Sequence, residues 1–168
     1  MANTGGDYAV RPGRREDAPE TARLWMQSAE EHTAYDEVYR TSPQAERTMR
    51  RFLADLASGG HAFLFVAVAP EGASGGGERV IGFLSGELRE GSPTFSPKTW
   101  ASVDDIYVIP EHRSRGVGRE LVRRCREWAA DHGADGVSLQ VAAANERARK
   151  LYRELGFREV SVYAVSEL

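Results

Sequence analysis

The chain has 168 residues, a formal net charge of −3, 41% hydrophobic residues and 28% charged residues, which suits one globular domain. This charge excludes nucleic acid as the expected main partner, and no apolar run approaches the ~18 residues that a membrane helix needs. A single cysteine, Cys125, excludes a disulfide framework and a cysteine-based zinc site, and we expect no metal. We expect a disordered leader at 1–7, a domain at 8–168 and, because no basic and apolar leader is visible, a cytoplasmic location.

The start of the domain predicts one strand and two helices. Residues 8–11 alternate apolar and polar side chains, as a strand does. Residues 18–29 and 42–58 carry apolar side chains at helical spacing. Trp25 in the first helix and Phe52 in the second are therefore assigned to the core.

A segment at 30–39 breaks the helical pattern and mixes four carboxylates with two tyrosines. One interpretation is a solvated helix end with its connection. The other is a wall that faces the acceptor substrate, because carboxylates and aromatic faces both attract cationic amines. Under the second interpretation, Glu31, Tyr35 and Asp36 bind the substrate.

Three more strands are predicted between residues 61 and 108. Residues 61–68 and 80–88 are apolar and bounded by glycine-rich turns, which predicts two strands joined by a hairpin. Residues 101–108 are rich in β-branched and aromatic side chains and form the predicted fourth strand.

A glycine-punctuated loop joins the fourth strand to a helix predicted at 119–132. The first N–H groups of a helix have no partner inside it and carry the positive end of its dipole. Gly116 and Gly118 let an anion approach the backbone, and Arg113 and Arg115 add positive charge. This predicts a pyrophosphate cradle that matches neither the nucleotide P-loop nor the dinucleotide fingerprint.

The chain ends with a predicted strand at 136–141, a helix at 145–155 and a last strand at 159–166. One helix crosses over between the fourth and fifth strands, so these two strands are expected to run parallel. The sheet is therefore predicted to be mixed.

The spacing Arg113-x-x-Gly116-x-Gly118 resembles the acetyl-CoA signature of the GCN5-related N-acetyltransferase (GNAT) superfamily. The resemblance extends over most of the chain, and its downstream part rests on Asn145, Ala148, Leu151, Tyr152, Gly156 and Phe157. It implies a mixed α/β fold with a central, splayed sheet flanked by about four helices. It also implies acetyl-CoA as cosubstrate, bound where the fourth and fifth strands part.

The resemblance further implies which residues contact the cofactor. These are Ile106, Tyr107, Val108, Arg113, Ser114, Arg115, Gly116, Val117, Gly118, Arg119, Asn145 and Tyr152. The edge of the fourth strand would pair with the pantetheine arm. Tyr152 would be the acid that protonates the departing thiolate, because a phenol of pKa about 10 is close to a thiol.

The general base is predicted to be Asp104. The stretch around Asp104 and Asp105 resembles one in polyamine and aminoglycoside 6′-acetyltransferases that carries an acidic residue facing the acceptor. Aspartate is shorter than glutamate, so a water relay is favoured. Ser102 and Gln140 stand where other relatives place a glutamate. Whether Asp104, Asp105 or a water chain takes the proton stays open. Asp104 and Asp105 are also expected to bind the acceptor, and the alternative for this pair is a solvated strand end.

The sequence thus predicts an acetyl-CoA-dependent N-acetyltransferase that acts on a small cationic amine, similar to a polyamine or an aminoglycoside. Two alternatives are a protein N-terminal or lysine acetyltransferase and a non-catalytic acyl-CoA sensor. A homodimer is possible. The acceptor and the length of the donor acyl chain are left open.

Overall fold

The computed structural model describes residues 7–71, 77–95 and 98–166. Within them, a five-stranded sheet is accompanied by four α-helices, which confirms the predicted mixed α/β class. The elements are β1 (Ala9–Pro12), α1 (Ala18–Thr33), α2 (Ala45–Leu56), β2 (Ala62–Pro70), β3 (Glu78–Glu90), β4 (Thr99–Val108), α3 (Val117–Asp131), β5 (Gly136–Leu139) and α4 (Glu146–Glu154). Short 3₁₀ turns lie at Arg15–Asp17, Glu37–Tyr39 and Pro110–His112.

The strands follow one another across the sheet in chain order. Strands β1 to β4 are antiparallel, and β5 runs parallel to β4, as the crossover through α3 requires. Pairing of β4 with β5 runs only from Trp100 opposite Gly136 to Val103 opposite Leu139. Beyond Val103 the two strands part, and the second half of β4 has one open edge.

The core lies on both faces of β2 and β3. Neighbouring residues of a strand point to opposite faces. On one face, Trp25 of α1 contacts Asp105 of β4, and on the other, Trp128 of α3 packs on Phe63 of β2 at 4.7 Å between ring centroids. Helix α1 therefore covers one face and α3 covers the other. The central side chain Phe83 is fully buried.

The predicted last strand is wrong. Residues 159–166 have no regular structure and their side chains are exposed. The segment starts at Glu159, whose carboxylate accepts two hydrogen bonds from Arg149 of α4, at 2.8 and 3.0 Å. That contact holds the chain against α4 instead of along the edge of β5.

Smaller differences concern side-chain burial and the chain ends. Phe52 is 40% exposed instead of buried, because α2 turns Leu53 and Leu56 towards the core. The predicted leader at 1–7 lies, except for Asp7, outside the described residues. Within the described ranges, no helix has the length and apolar character needed to cross a membrane.

Candidate active site

The loop between β4 and α3 forms a backbone cradle. Ser114 and Gly116 adopt left-handed conformations, with φ of 62° and 86°. Helix α3 starts directly after Gly116, whose carbonyl oxygen accepts the first intrahelical bond from the N–H of Glu120 at 3.0 Å. The amides of Val117, Gly118 and Arg119 therefore have no partner inside the helix. Alternating backbone conformations ahead of a helix start make a concave, electropositive site for an anion.

The two glycines of the loop leave this cradle open. A Cβ atom at Gly116 would lie 3.4 Å from the hydroxyl of Tyr8 and would have to adopt a left-handed conformation. A Cβ atom at Gly118 would lie 3.5 Å from Leu151, which is ordinary packing distance. The fold itself therefore does not require glycine at position 118, and the space beside its backbone is wide enough for an outside group. The cradle fits a phosphate of acetyl-CoA.

The arginines of the loop differ in what they contact. Arg113 donates from Nε to the carbonyl oxygen of Val108 at 2.7 Å and from its guanidinium to Glu31 at 2.6 Å. Arg119 pairs with Glu154. Arg115 is exposed and makes no ion pair among the described residues. Of the three cations predicted to face the cofactor, Arg115 alone is uncommitted in this part of the chain.

The open edge of β4 presents the backbone of two of its residues. The carbonyl oxygen of Tyr107 faces β3, since a Cβ atom at Gly82 would lie 2.8 Å from it. Adjacent residues of a strand direct their backbone groups to opposite edges. The groups of Ile106 and Val108 therefore point to the open edge, as predicted, while those of Tyr107 do not. Arg113 already occupies the carbonyl oxygen of Val108.

Two carboxylates lie at the point where β4 and β5 part. A β-bulge shifts the register between Ser85 and Gly86 of β3, so Asp104 is an extra residue of β4. Asp104 accepts a hydrogen bond from Arg89 at 2.8 Å, and Asp105 contacts Ser85 at 3.5 Å. Ser85 and Arg89 are four residues apart on β3 and share a face. The bulge thus brings both carboxylates to the face covered by α1.

Their surroundings make the two carboxylates unequal. Burial raises the pKa of Asp104, and the charge of Arg89 opposes that rise. Burial also raises the pKa of Asp105, and the negative charge of Asp104 raises it further. A hydrogen bond from Trp25 Nε1 at 2.8 Å opposes this rise. Asp105 has no cationic ion-pair partner among the described residues, which suits it better to accept a proton.

The acidic and aromatic residues near the end of α1 divide into two groups. Glu31 faces β4, where it accepts hydrogen bonds from Arg113 and, at 2.8 Å, from the hydroxyl of Tyr107. Asp36 is exposed and accepts a hydrogen bond from the N–H of Val38 at 2.9 Å, as the cap of a 3₁₀ turn. Tyr35 packs edge-on against His32, with ring centroids 5.6 Å apart. Only Glu31 of the predicted trio directly contacts the strand of the candidate site.

Helix α4 holds the remaining predicted residues. Asn145 is its N-cap and accepts a hydrogen bond from the N–H of Ala148 at 3.1 Å, as expected from the sequence. Tyr152 is 7% exposed and packs edge-on against Phe157. Burial raises the pKa of Tyr152 to about 12, well above the ordinary value used in the sequence-based prediction.

Sequence reasoning missed the residues that surround the two carboxylates Asp104 and Asp105. Trp25 lies 80 residues from its partner in the chain, and its helical spacing indicated only a core position. His32 lies on the same side of α1, with Nδ1 2.7 Å from the carbonyl oxygen of Ser28, and it contributes a favourable charge to Asp105. Arg89 on β3 gave no local signal at all.

Comparison with known proteins gives a consistent result. The sequence profile of the acetyltransferase (GNAT) family matches residues 22–157. A bovine (Bos taurus) thialysine N-epsilon-acetyltransferase is 37% identical over 71 residues, which is 40% of this chain and 42% of that protein. The streptothricin acetyltransferase of Streptomyces lavendulae is 39% identical over 56 residues, 33% of this chain and 30% of that protein. The matched regions thus span less than half of these relatives.

Solved structures match over nearly the whole chain. A tetramutant of the BH1408 protein from Bacillus halodurans has a TM-score of 0.79 at 23% identity and covers 95% of this chain and 99% of its own. The structure of AAC(6')-Iy with the bisubstrate analogue CoA-S-monomethyl-acetylneamine has a TM-score of 0.72 at 18% identity, with 97% and 99% coverage. At these identities the likeness concerns the fold.

Proposed function

The chain belongs to the acetyltransferase (GNAT) family, whose members use acetyl-CoA, and we propose that it acetylates a small cationic amine. In this reaction the amine nitrogen gains the acetyl group and the thioester C–S bond breaks. The ammonium form of the acceptor loses two protons, of which one ends on the sulfur of CoA and the other is released to solvent. The observation that carries the proposal is the anion cradle at the start of α3 beside the open edge of β4, with Asp104 and Asp105 where that edge begins.

The cradle and the open edge hold the cofactor in this proposal. The free amides of Val117, Gly118 and Arg119 and the charge of Arg115 bind its pyrophosphate. The backbone groups of Ile106 and the N–H of Val108 bind its pantetheine arm as an added strand does. Arg113 acts indirectly, by fixing the start of the loop to β4 and α1 through Val108 and Glu31.

Asp105 is the proposed general base. An aliphatic amine has a pKa of about 10.4 and arrives as a cation, so it must lose a proton before it attacks. The burial and raised pKa of Asp105 support this role. Asp104, which the sequence favoured, is paired with Arg89, and we assign it the weaker role of attracting the cation.

Tyr152 is the proposed donor to the departing sulfur. Its raised pKa of about 12 keeps the phenol protonated over the whole physiological range. A thiol has a pKa of about 8.5, so complete proton transfer from Tyr152 to the thiolate is uphill. The proposed contribution is therefore a hydrogen bond that stabilises the developing thiolate, with solvent completing its protonation.

The charges at the site and the relatives both support the proposed acceptor class. Asp104, Asp105 and Glu31 all lie on the face covered by α1 and favour a cation. The relatives include a thialysine and a streptothricin acetyltransferase, and a structural neighbour binds an aminoglycoside-type bisubstrate analogue. We propose an acceptor with a primary amine and at least one further positive charge.

The test is release of free CoA thiol from acetyl-CoA in the presence of an acceptor panel. The panel contains polyamines, aminoglycosides, amino acids and peptides with free N-termini or lysines. The proposal predicts the highest kcat/KM for polyamines or aminoglycosides, and a drop of about 100-fold or more for Asp105→Asn with the acidic limb of its pH profile removed.

The matched variant is Asp104→Asn, whose side chain keeps its size and position beside Arg89. It should mainly raise the KM of the amine, and more so at low salt. Preference for peptides would instead indicate a protein acetyltransferase. Binding of acetyl-CoA without thiol release for any amine would indicate a sensor and contradict the proposed enzyme.

A further inference from the structure

A cleft between the first turn of α1 and helix α2 shares no residue with the proposed acetyl-transfer site. Its volume is about 460 Å³, within the range of about 300–1,000 Å³ that is typical of small-molecule sites. Ala18 and Pro19 of α1 and Ala54 of α2 form the apolar part of its lining. Pro19 and Glu31 lie towards opposite ends of α1, about 18 Å apart along its axis, so the cleft is separate from the site at β4.

The rest of the lining consists of arginines, and we call this site the arginine cleft. Arg47, Arg50 and Arg51 have the spacing i, i+3, i+4, which places all three on one side of α2. Arg15 lines the cleft from the 3₁₀ turn that precedes α1. Four guanidinium groups from two separate elements therefore surround one cavity.

The protein itself does little to balance these positive charges. Arg47, Arg50 and Arg51 are exposed and make no ion pair in the part of the chain that the structure describes. Arg15 reaches the carboxylate of Asp55 at 3.8 Å, and both of these side chains are exposed. Like charges three or four residues apart on a helix repel one another and destabilise it. An anion bound among the arginines removes this repulsion.

We propose that the arginine cleft binds a small anion that carries at least two phosphate groups. A guanidinium group holds a phosphate through two parallel hydrogen bonds and stays charged at every physiological pH. Four such groups exceed what one phosphate can use, and the volume of the cleft suits a small molecule. Its concave shape favours such a ligand over a membrane surface or a nucleic acid strand. This binding is independent of the proposed acetyl transfer.

The first test is calorimetric titration of inorganic tripolyphosphate into the chain saturated with CoA, which fills the proposed cradle. One tripolyphosphate should bind per chain at physiological salt. Arg50→Gln and Arg51→Gln should each raise its dissociation constant about tenfold or more, because each removes charge-assisted hydrogen bonds. Glutamine keeps a polar side chain with a good helix propensity at both positions.

Arg158→Gln is the matched control for the loss of one positive charge. Arg158 is exposed, lies outside the cleft and makes no ion pair within the described ranges, so its replacement should leave the dissociation constant unchanged. Circular dichroism checks that the three variants fold, which is expected because all three positions are exposed.

Two results of this titration would overturn the proposal. Equal losses for Arg50→Gln, Arg51→Gln and Arg158→Gln would show that only general charge attraction holds the anion. Absence of saturable binding up to about 1 mM tripolyphosphate would show that the cleft is not a binding site.

Repeating the titration in Gly116→Asp without CoA separates the cleft from the cradle by a second route. This substitution blocks the cradle, so binding that persists there and is weakened by Arg50→Gln supports the arginine cleft. Binding that disappears both with CoA and in Gly116→Asp would belong to the cradle and overturn the proposal.

The second test compares anions of different size. Orthophosphate should bind at least about tenfold more weakly than tripolyphosphate, because a single phosphate group cannot reach all of the arginines. A short single-stranded DNA and vesicles that contain phosphatidylserine should also bind more weakly, since both are extended. Equal affinity for orthophosphate would overturn the requirement for two phosphate groups. Tighter binding of DNA or vesicles, with the same loss on Arg50→Gln, would indicate an extended basic surface and overturn the small-ligand site.

Discussion

The two edges of strand β4 differ in how far they pair with a neighbouring strand. One edge pairs with β3 from Thr99 opposite Glu90 to Val108 opposite Gly82, with one interruption at the bulge of Asp104. The other pairs with β5 only as far as Val103 and is then open. Backbone groups that bond to a neighbouring strand stabilise the fold, and those left open are available to a ligand. A single strand thus supports the structure with one edge and the proposed function with the other.

Glycines serve both edges, for different physical reasons. On the paired edge, a Cβ atom at Gly86 would collide with the carbonyl oxygen of Ser102 and lie 2.6 Å from the ring of Phe63. At the open edge, Gly116 and Gly118 meet no such obstacle within the protein. The first glycine is required by packing, and the other two leave the space in which the proposed cofactor binds.

The largest effect is expected for the chemistry at the open edge. Tyr152→Phe keeps the ring and its packing but removes the donor to the departing sulfur. We expect kcat to fall about 1,000-fold, the upper end of the range for loss of one hydrogen-bond donor to a developing negative charge, with little change in affinity for CoA. Steady-state kinetics and calorimetry measure the two quantities. Unchanged turnover with the true acceptor would make Tyr152 a packing residue only.

The next largest effect is expected on the paired edge. Gly86→Ala should lower the free energy of unfolding by about 3 kcal/mol, because backbone and ring must both move to admit one methyl group. Chemical denaturation measures this change. Gly60→Ala is the control, since a Cβ atom at Gly60 meets nothing within 4 Å. Equal stability of the two variants would show that the paired edge tolerates distortion.

A loss of similar size, measured as binding free energy of CoA, is expected for a substitution in the cradle between β4 and α3. Gly116→Asp places a negative side chain where the pyrophosphate must approach, and CoA affinity should fall about 100-fold, or roughly 2.8 kcal/mol. Gly133→Asp is the control at the other end of α3, because Gly133 is also left-handed, with φ of 71°, and has open space around it. Calorimetry that finds the same affinity for both folded variants would contradict the cradle.

The smallest effect is a gain in stability at the start of the open edge. Burial raises the pKa of Asp105 in the folded state, so the folded state holds this proton more tightly than the unfolded state does. The stability of the parent therefore falls as the pH rises from the pKa of Asp105 in the unfolded state to its higher pKa in the folded state. Asp105→Asn removes this titration and keeps an acceptor for Trp25. We therefore expect a higher melting temperature at neutral pH, by ~2 °C, and no gain below pH 4. A gain independent of pH would have another cause.

The parts of the fold predicted correctly are those with a local signal. The loop from Arg113 to Gly118 carries its own spacing, and Asn145 caps its helix through a contact three residues away. The contacts of Glu31 with Arg113 and of Trp25 with Asp105 join residues 82 and 80 positions apart, so no local pattern predicts them. The bulge at Asp104 also depends on the register of two strands.

The prediction of a last strand at 159–166 was wrong although its local signal is clear. Residues 159–166 have a clear strand pattern, but pattern alone does not supply a partner. In the described chain the first of these residues is held by Arg149, and the following apolar side chains stay exposed. The pattern predicts a strand, but pairing in the sheet depends on a partner strand, which residues 159–166 do not have among the described residues.

In the proposed function, the contact of Arg113 with Glu31 links the acceptor site and the cofactor site thermodynamically. A cationic acceptor that approaches Glu31 competes with the guanidinium of Arg113 and the hydroxyl of Tyr107 for the same carboxylate. The arginine that loses this partner belongs to the cofactor loop. Each substrate therefore changes the affinity for the other by the same factor, as linkage requires. A factor above one means that contact of Glu31 with the acceptor strengthens cofactor binding by the loop, and a factor below one means that it weakens this binding.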